Sequence, residues 1–165
     1  MNRRMLILAV ALTVAVPSAL FAQSLVFVVR HAERADAGMT TAAGADPDLS
    51  EAGRARAESL ATMLKDARIT AIYVTEFKRT RQTAEPLAKI LGLEPTVVSS
   101  KDANALIERL KSPSGNALVI GHSNTLPAVL KALAGETVTI DDSEFDNLFV
   151  ITGGTPRSLV RLHYR

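Results

Sequence analysis

From Ser24 onward, short apolar β-prone runs alternate with stretches of helical apolar spacing, which leaves few folds open to the chain. Ser24–Arg30, Ile69–Thr75, Pro95–Ser99 and Ala117–Ile120 read as strands, with two late ones near Leu148–Thr152 and Ser158–Tyr164. A helix is expected from Ser50, a candidate N-cap, to about Asp66, since Ala57, Leu60, Ala61 and Leu64 recur at helical spacing. Further helices are expected over Lys78–Leu91, ending before Gly92, over Asp102–Lys111, and from about Thr125 to Ala134. Ala35–Pro47 lacks apolar periodicity and reads as a long loop. Strands separated by helices form parallel sheets, so the expected architecture is α/β. We expect a single three-layer domain with a mostly parallel central sheet flanked by helices.

The N-terminus has another character. Asn2-Arg3-Arg4 is a short basic stretch, and Met5–Val16 is an apolar run of the length of a signal h-region. Pro17-Ser18 breaks that run, and Ala22 before Gln23 fits a cleavage point. The run is short for a membrane span. Residues 1–22 are therefore expected to be a signal peptide and residues 23–165 an exported domain, periplasmic or secreted, with no stable membrane insertion. Losing Arg3 and Arg4 cancels the formal net charge of +2, so the basic balance makes no case for nucleic-acid binding. Aromatic residues are only 4% of the chain, too few to stack on bases. The absence of Cys removes disulfides, thiol catalysis and Cys-ligated zinc.

Three strand ends carry polar groups. The first offers Arg30, His31, Glu33 and Arg34; the second offers Thr75-Glu76-Phe77-Lys78-Arg79-Thr80-Arg81; the fourth offers Gly121-His122-Ser123-Asn124. Ligands of open α/β sheets bind at the carboxyl ends of strands, where these groups would converge. Two imidazoles among guanidiniums suit a phosphoryl group. Arginine forks match its oxygens and stay charged, while a neutral imidazole can attack phosphorus. The leaving oxygen needs a proton, which calls for a nearby carboxylic acid. Metal binding by His31, His122 and neighbouring Asp residues is disfavoured, because the arginines repel a cation.

The blocks that hold these residues resemble the histidine phosphatase superfamily, which includes the cofactor-dependent phosphoglycerate mutases. Val29-Arg30-His31-Ala32-Glu33 resembles its Arg-His-Gly-Glu box, and Phe77-Lys78-Arg79-Thr80-Arg81-Gln82-Thr83-Ala84 its Leu-x-Arg-Ala-x-Gln-Thr-Ala block. Val119-Ile120-Gly121-His122-Ser123-Asn124 resembles the second-histidine box, and Asp48-Leu49-Ser50-Glu51-Ala52-Gly53 the Leu-Thr-x-x-Gly segment between them. The resemblance implies a phosphomonoester hydrolase without cofactor or metal, acting on a small phosphorylated substrate. It implies His31 as the phosphorylated nucleophile, with Arg30, Arg79 and His122 completing the phosphate pocket. Asp102 is our candidate proton donor, and Glu33, Glu76 and Asp36 are alternatives. Ala32 stands where the family has Gly, so a positive φ there would strain the box.

Other readings compete for the same residues. Arg79, Lys78 or Arg81 can cap a helix or pair with Glu76, Asp102 can serve as an N-cap, and His163 alternates toward solvent. Gly121-His122-Ser123-Asn124-Thr125 partly matches a nucleophile elbow, with Asp141 or Asp142 and His163 following in triad order. A serine hydrolase using Ser123 would leave Arg30, His31 and Arg79 without a role. A phosphate-binding protein that has lost catalysis is a third class. Export argues against a mutase or a phosphohistidine-protein phosphatase within the family. Selectivity is expected from Ala35–Pro47 and Asp141–Asn147.

Overall fold

The computed structural model describes residues 24–36, 46–112 and 114–164. The expected signal peptide and most of the Ala35–Pro47 loop lie outside the described residues. Among the described residues ten elements follow in order: β1 (Val26–Arg30), α1 (Glu51–Leu64), β2 (Ile69–Val74), α2 (Lys78–Leu91), β3 (Thr96–Val97), α3 (Ala103–Lys111), β4 (Asn116–Gly121), α4 (Leu126–Ala134), β5 (Asn147–Ile151) and β6 (Leu159–His163). They form one six-stranded sheet in the order β3-β2-β4-β1-β5-β6. The first four neighbours pair parallel, while β5 and β6 add antiparallel. Among the described residues no helix is long and apolar enough to cross a membrane.

Every residue of β1 is buried, as expected for a central strand covered on both faces. Phe27 and Val29 face one core with Leu60, Leu64, Leu87 and Leu118, under α1 and α2. Val26 and Val28 face the other with Leu110, Val129, Leu130 and Phe149, under α3 and α4. The period-2 alternation of one strand thus builds two cores and three layers.

Local signals set the boundaries. The Ser50 side chain accepts from Gly53 N–H at the start of α1, and Gly92 ends α2 in the left-handed conformation (φ 65°). Gly53 has a second reason to be glycine, because a Cβ there would run into the backbone of Glu33. The chain after β1 therefore lies directly on α1. Arg56 of α1 fastens it there: its Nε and Nη2 donate to the Glu33 carboxylate at 2.8 and 2.7 Å. Its Nη1 also donates to the Tyr164 carbonyl at 3.2 Å.

Candidate active site

Register brings the two histidines together. Arg30 pairs with Gly121 across the parallel β1–β4 ladder, and the His31 N–H donates to the Gly121 carbonyl at 2.9 Å. The next residue of each chain is a histidine, and the His31 and His122 rings meet edge-on with centroids 5.3 Å apart. Thr75 follows β2 beside them, and its hydroxyl lies 3.0 Å from His122 Nε2. The expected convergence of strand ends is what the sheet delivers.

Arg79 enters from the first turn of α2. The start of that helix has no side-chain cap of its own, and the carboxylate of Asp46 accepts the Lys78 N–H at 3.0 Å instead. The same carboxylate lies 3.6 Å from Arg79 Nη1. Thr83 locks the helix to the strand end: its hydroxyl donates to the Arg79 carbonyl at 2.7 Å and accepts the Ala32 N–H at 3.0 Å. Gln82 accepts the Leu49 N–H and donates to Asp48. Gln82 and Thr83 thus have structural work beside the arginine of their block.

Arg30, His31, Arg34, Phe77, Arg79, Ser100, Lys101, His122, Ser123, Asn124, Asp142 and Phe145 contribute to the lining of one open cleft of about 840 Å³. Arg30 and Arg79 each lie over an aromatic ring, Phe145 and Phe77 respectively, at 4.2 Å from the centroid. Both guanidiniums stay cationic, although burial lowers their pKa. Arg30 Nε and Arg79 Nε and Nη1 are buried yet have no hydrogen-bond partner among the described residues. Buried donors without acceptors are rare in proteins, and here they belong to two arginines that line one cleft.

The imidazoles are neutral. Burial, reinforced by His122, Arg79 and Arg30, pushes His31 down to about 3 despite its bond to the Ala32 carbonyl. Burial and Arg79 push His122 down to about 4, against the pull of Glu76. His31 Nδ1 lies 2.8 Å from the Ala32 carbonyl oxygen, which can only accept. The proton of neutral His31 therefore sits on Nδ1, and Nε2 carries the lone pair. Such a ring can attack an electrophile held by the two arginines.

Ala32 is unstrained, because Arg68 is the only non-glycine residue with positive φ among the described residues. The methyl group packs with Leu49 and Ala57. The candidate proton donors fare differently. Asp102 is the N-cap of α3, accepting the Ala105 N–H at 3.0 Å, and does not line the cleft. Glu33 is held by Arg56, Asp36 lies 3.0 Å from Arg34 Nε, and Glu76 accepts from the N–H and hydroxyl of Ser100. The carboxylate brought to the cleft is Asp142, with Oδ1 3.6 Å from Arg30. Sequence reasoning did not single it out as an acid, since nothing in a run of Asp and Ser marks which side chain comes beside an arginine.

The elbow reading does not assemble. The Ser123 hydroxyl donates to Asp142, but His163 bonds Asp146, and no imidazole hydrogen-bonds Ser123 among the described residues. His163 is exposed on β6, as expected. The possible pairing of Glu76 with a basic neighbour gives way to Ser100, and Lys78 instead lies 3.7 Å from Asp48. No cluster of three or more His, Asp or Glu able to hold a metal is found among the described residues.

A six-stranded, mostly parallel sheet thus carries two neutral imidazoles at its strand ends and, around them, two arginines with buried donors that lack acceptors. Residues 26–102 match the family model described as histidine phosphatase superfamily (branch 1), the family that the sequence blocks resemble. No curated protein sequence matches the chain. Among solved structures it is similar to a putative α-ribazole-5′-P phosphatase from Escherichia coli K-12, at 16% identity and a TM-score of 0.69, covering 85% of this chain and 96% of that one. A putative phosphohistidine phosphatase SixA from Agrobacterium tumefaciens is similar at 20% identity and a TM-score of 0.63, covering 86% and 97%. A mycobacterial glucosyl-3-phosphoglycerate phosphatase is similar at 14% identity and a TM-score of 0.62, covering 86% and 98%. At such identities the likeness is one of fold.

Proposed function

We infer that the protein is a phosphomonoester hydrolase working through a phosphohistidine on His31. The observation that carries this reading is the neutral His31 with its Nε2 lone pair, set among buried guanidinium donors that have no acceptor. A phosphoryl group supplies those acceptors. Arg30 and Arg79 hold its oxygens and stabilise the charge that spreads over them in the transition state. His31 Nε2 forms a bond to phosphorus as the ester P–O bond breaks, and the leaving oxygen takes a proton from solvent at the open side of the cleft, beside Asp142, a proton that the attacking water gives back in the second step. Water then attacks the phosphohistidine, the P–N bond breaks, and phosphate leaves with His31 neutral again. The open cleft of about 840 Å³ supports a small phosphorylated substrate, and the basic and apolar run over residues 2–16 supports export by a signal peptide.

The test is hydrolysis of an aryl phosphate by wild type and His31→Ala, with vanadate and EDTA as controls. Activity should fall at least about 10³-fold in the variant, be blocked by vanadate and ignore EDTA. Denaturing the protein in alkaline detergent during turnover should trap, on wild type alone, a phosphoryl group that is stable to base and lost in acid. Phosphate binding without turnover would leave a binding protein instead.

A further inference from the structure

The arginine block of the family reads Ala where this chain has Thr80, and the extra hydroxyl lies fully buried behind the active site. Thr80 Oγ1 accepts the Thr75 N–H at 3.1 Å, and it lies 2.9 Å from the Phe77 carbonyl and 3.0 Å from Thr75 Oγ1. Thr75 Oγ1 in turn lies 3.0 Å from His122 Nε2 and accepts the Phe77 N–H at 3.4 Å. Protons can be counted along this chain. A carbonyl only accepts, so the single Thr80 proton goes to Phe77 O, the shorter of its two carbonyl contacts. The Thr75–Thr80 contact is then a hydrogen bond only if Thr75 donates. That spends the one Thr75 proton, and the remaining contact requires His122 Nε2 to carry a hydrogen and donate to Thr75.

We propose that Thr80 and Thr75 are positioning residues that fix His122 as the Nε2–H tautomer, opposite to that of His31. Nδ1 of His122 is then the ring nitrogen with the lone pair, and no hydrogen bond reaches it among the described residues. Phe77 meets the same ring edge-on at 5.3 Å and interplanar 89°, so packing and hydrogen bonding hold it in one orientation. A ring held this way offers an incoming phosphoryl group a proton acceptor, not a donor. A dianionic phosphate oxygen cannot face that lone pair without a proton between them. The bound state therefore carries one proton shared between Nδ1 and a phosphoryl oxygen, supplied by the substrate monoanion or taken up from solvent. His31, with Nε2 unprotonated, is left to react.

The chain has only three histidines, so long-range proton–nitrogen NMR on protein labelled with ¹⁵N-histidine resolves each ring. At neutral pH the expected spectrum shows His122 protonated on Nε2 and His31 on Nδ1, the latter being an internal control. Thr80→Val, which keeps the volume and removes the hydroxyl, should lose the single His122 tautomer, and Thr80→Ser should restore it. This arm needs no activity. The kinetic arm rests on the hydrolase reading: kcat should drop about fivefold in Thr80→Val, the worth of one net hydrogen bond, with KM little changed and recovery in Thr80→Ser. Wild-type His122 protonated on Nδ1 overturns the proposal, as does an unchanged tautomer in folded Thr80→Val. The wild-type spectrum decides even where the valine variant fails to fold. A protein inactive on every phosphoester, with the expected tautomers intact, defeats the hydrolase reading alone.

Discussion

The two arginines of the cleft are held by different means. Arg30 is anchored on main chain: its Nη1 donates to the carbonyls of Asp141 and Glu144 at 3.1 and 3.2 Å, so the segment before β5 closes over it. Arg79 has a stacked Phe77 and a carboxylate, Asp46, at 3.6 Å, and two of its donor nitrogens are buried without acceptors. In the first, Nη1 is engaged before any ligand arrives, Nη2 has only the Asp142 carboxylate at 3.6 Å, and Nε has no acceptor. The second is left short of partners. Arg30 is therefore the more structural half of the pocket and Arg79 the half that answers most to an anion.

Substituting lysine on each side should separate the halves. Arg79→Lys should lower kcat/KM about 10²-fold, the scale for removing a donor aimed at developing charge, while leaving the melting temperature near wild type. Arg30→Lys should also lower activity, but with a clear loss of thermal stability, because a lysine cannot bridge two carbonyls and stack on Phe145. Equal melting temperatures for the two variants would collapse the distinction.

The histidines test what both halves do to the groups between them. Their pKa values lie at about 3 and about 4, below the ordinary 6.5, so the unfolded chain takes up protons in the window between, where the native state does not. Their neutral burial therefore costs no stability above pH 6.5, and stability falls as pH drops below it toward 4, by up to about 1.4 kcal/mol per pH unit for each histidine. Urea midpoints followed from neutral to acid pH should show this slope, and His122→Gln should flatten it. The same slope in the variant would mean that the cleft does not hold His122 neutral.

Smaller effects probe the supports. Asp46→Ala removes the acceptor at the start of α2 and should destabilise by about 1 kcal/mol, the usual worth of an N-terminal cap. Activity should fall with it, and Asp46→Asn should recover the stability but not all the activity, since the amide can still accept from Lys78 N–H. Ala32→Gly should bring no gain in activity and cost about 0.5–1 kcal/mol in chemical denaturation, because the backbone there has no positive φ to relieve.

Much of this was legible in the chain. Ser50, Gly92 and the spacing of Ala57, Leu60, Ala61 and Leu64 carry their own local physics, and the helices begin and end where those signals fall. The direction of the last two strands was not, since an apolar alternation is the same in either orientation: β5 runs antiparallel to β1, and β6 antiparallel to β5. At the site, Arg30, His31, Arg79 and His122 were legible because each sits at a strand end or helix start within a distinct block. Phe77, Phe145, Ser100 and Lys101 were not singled out, because they reach the cleft through tertiary packing of connecting segments. Asp102 shows the opposite case: its capping signal was real, and capping is the work the fold gives it.

The unpartnered donors around His31 have a further consequence on the hydrolase reading. They answer to phosphoryl oxygens, and those oxygens are the same on the ester that enters and on the inorganic ion that remains after cleavage. The site cannot distinguish the group it removes from the product it releases. Free phosphate then competes for the same cradle, and the enzyme throttles itself as its product accumulates.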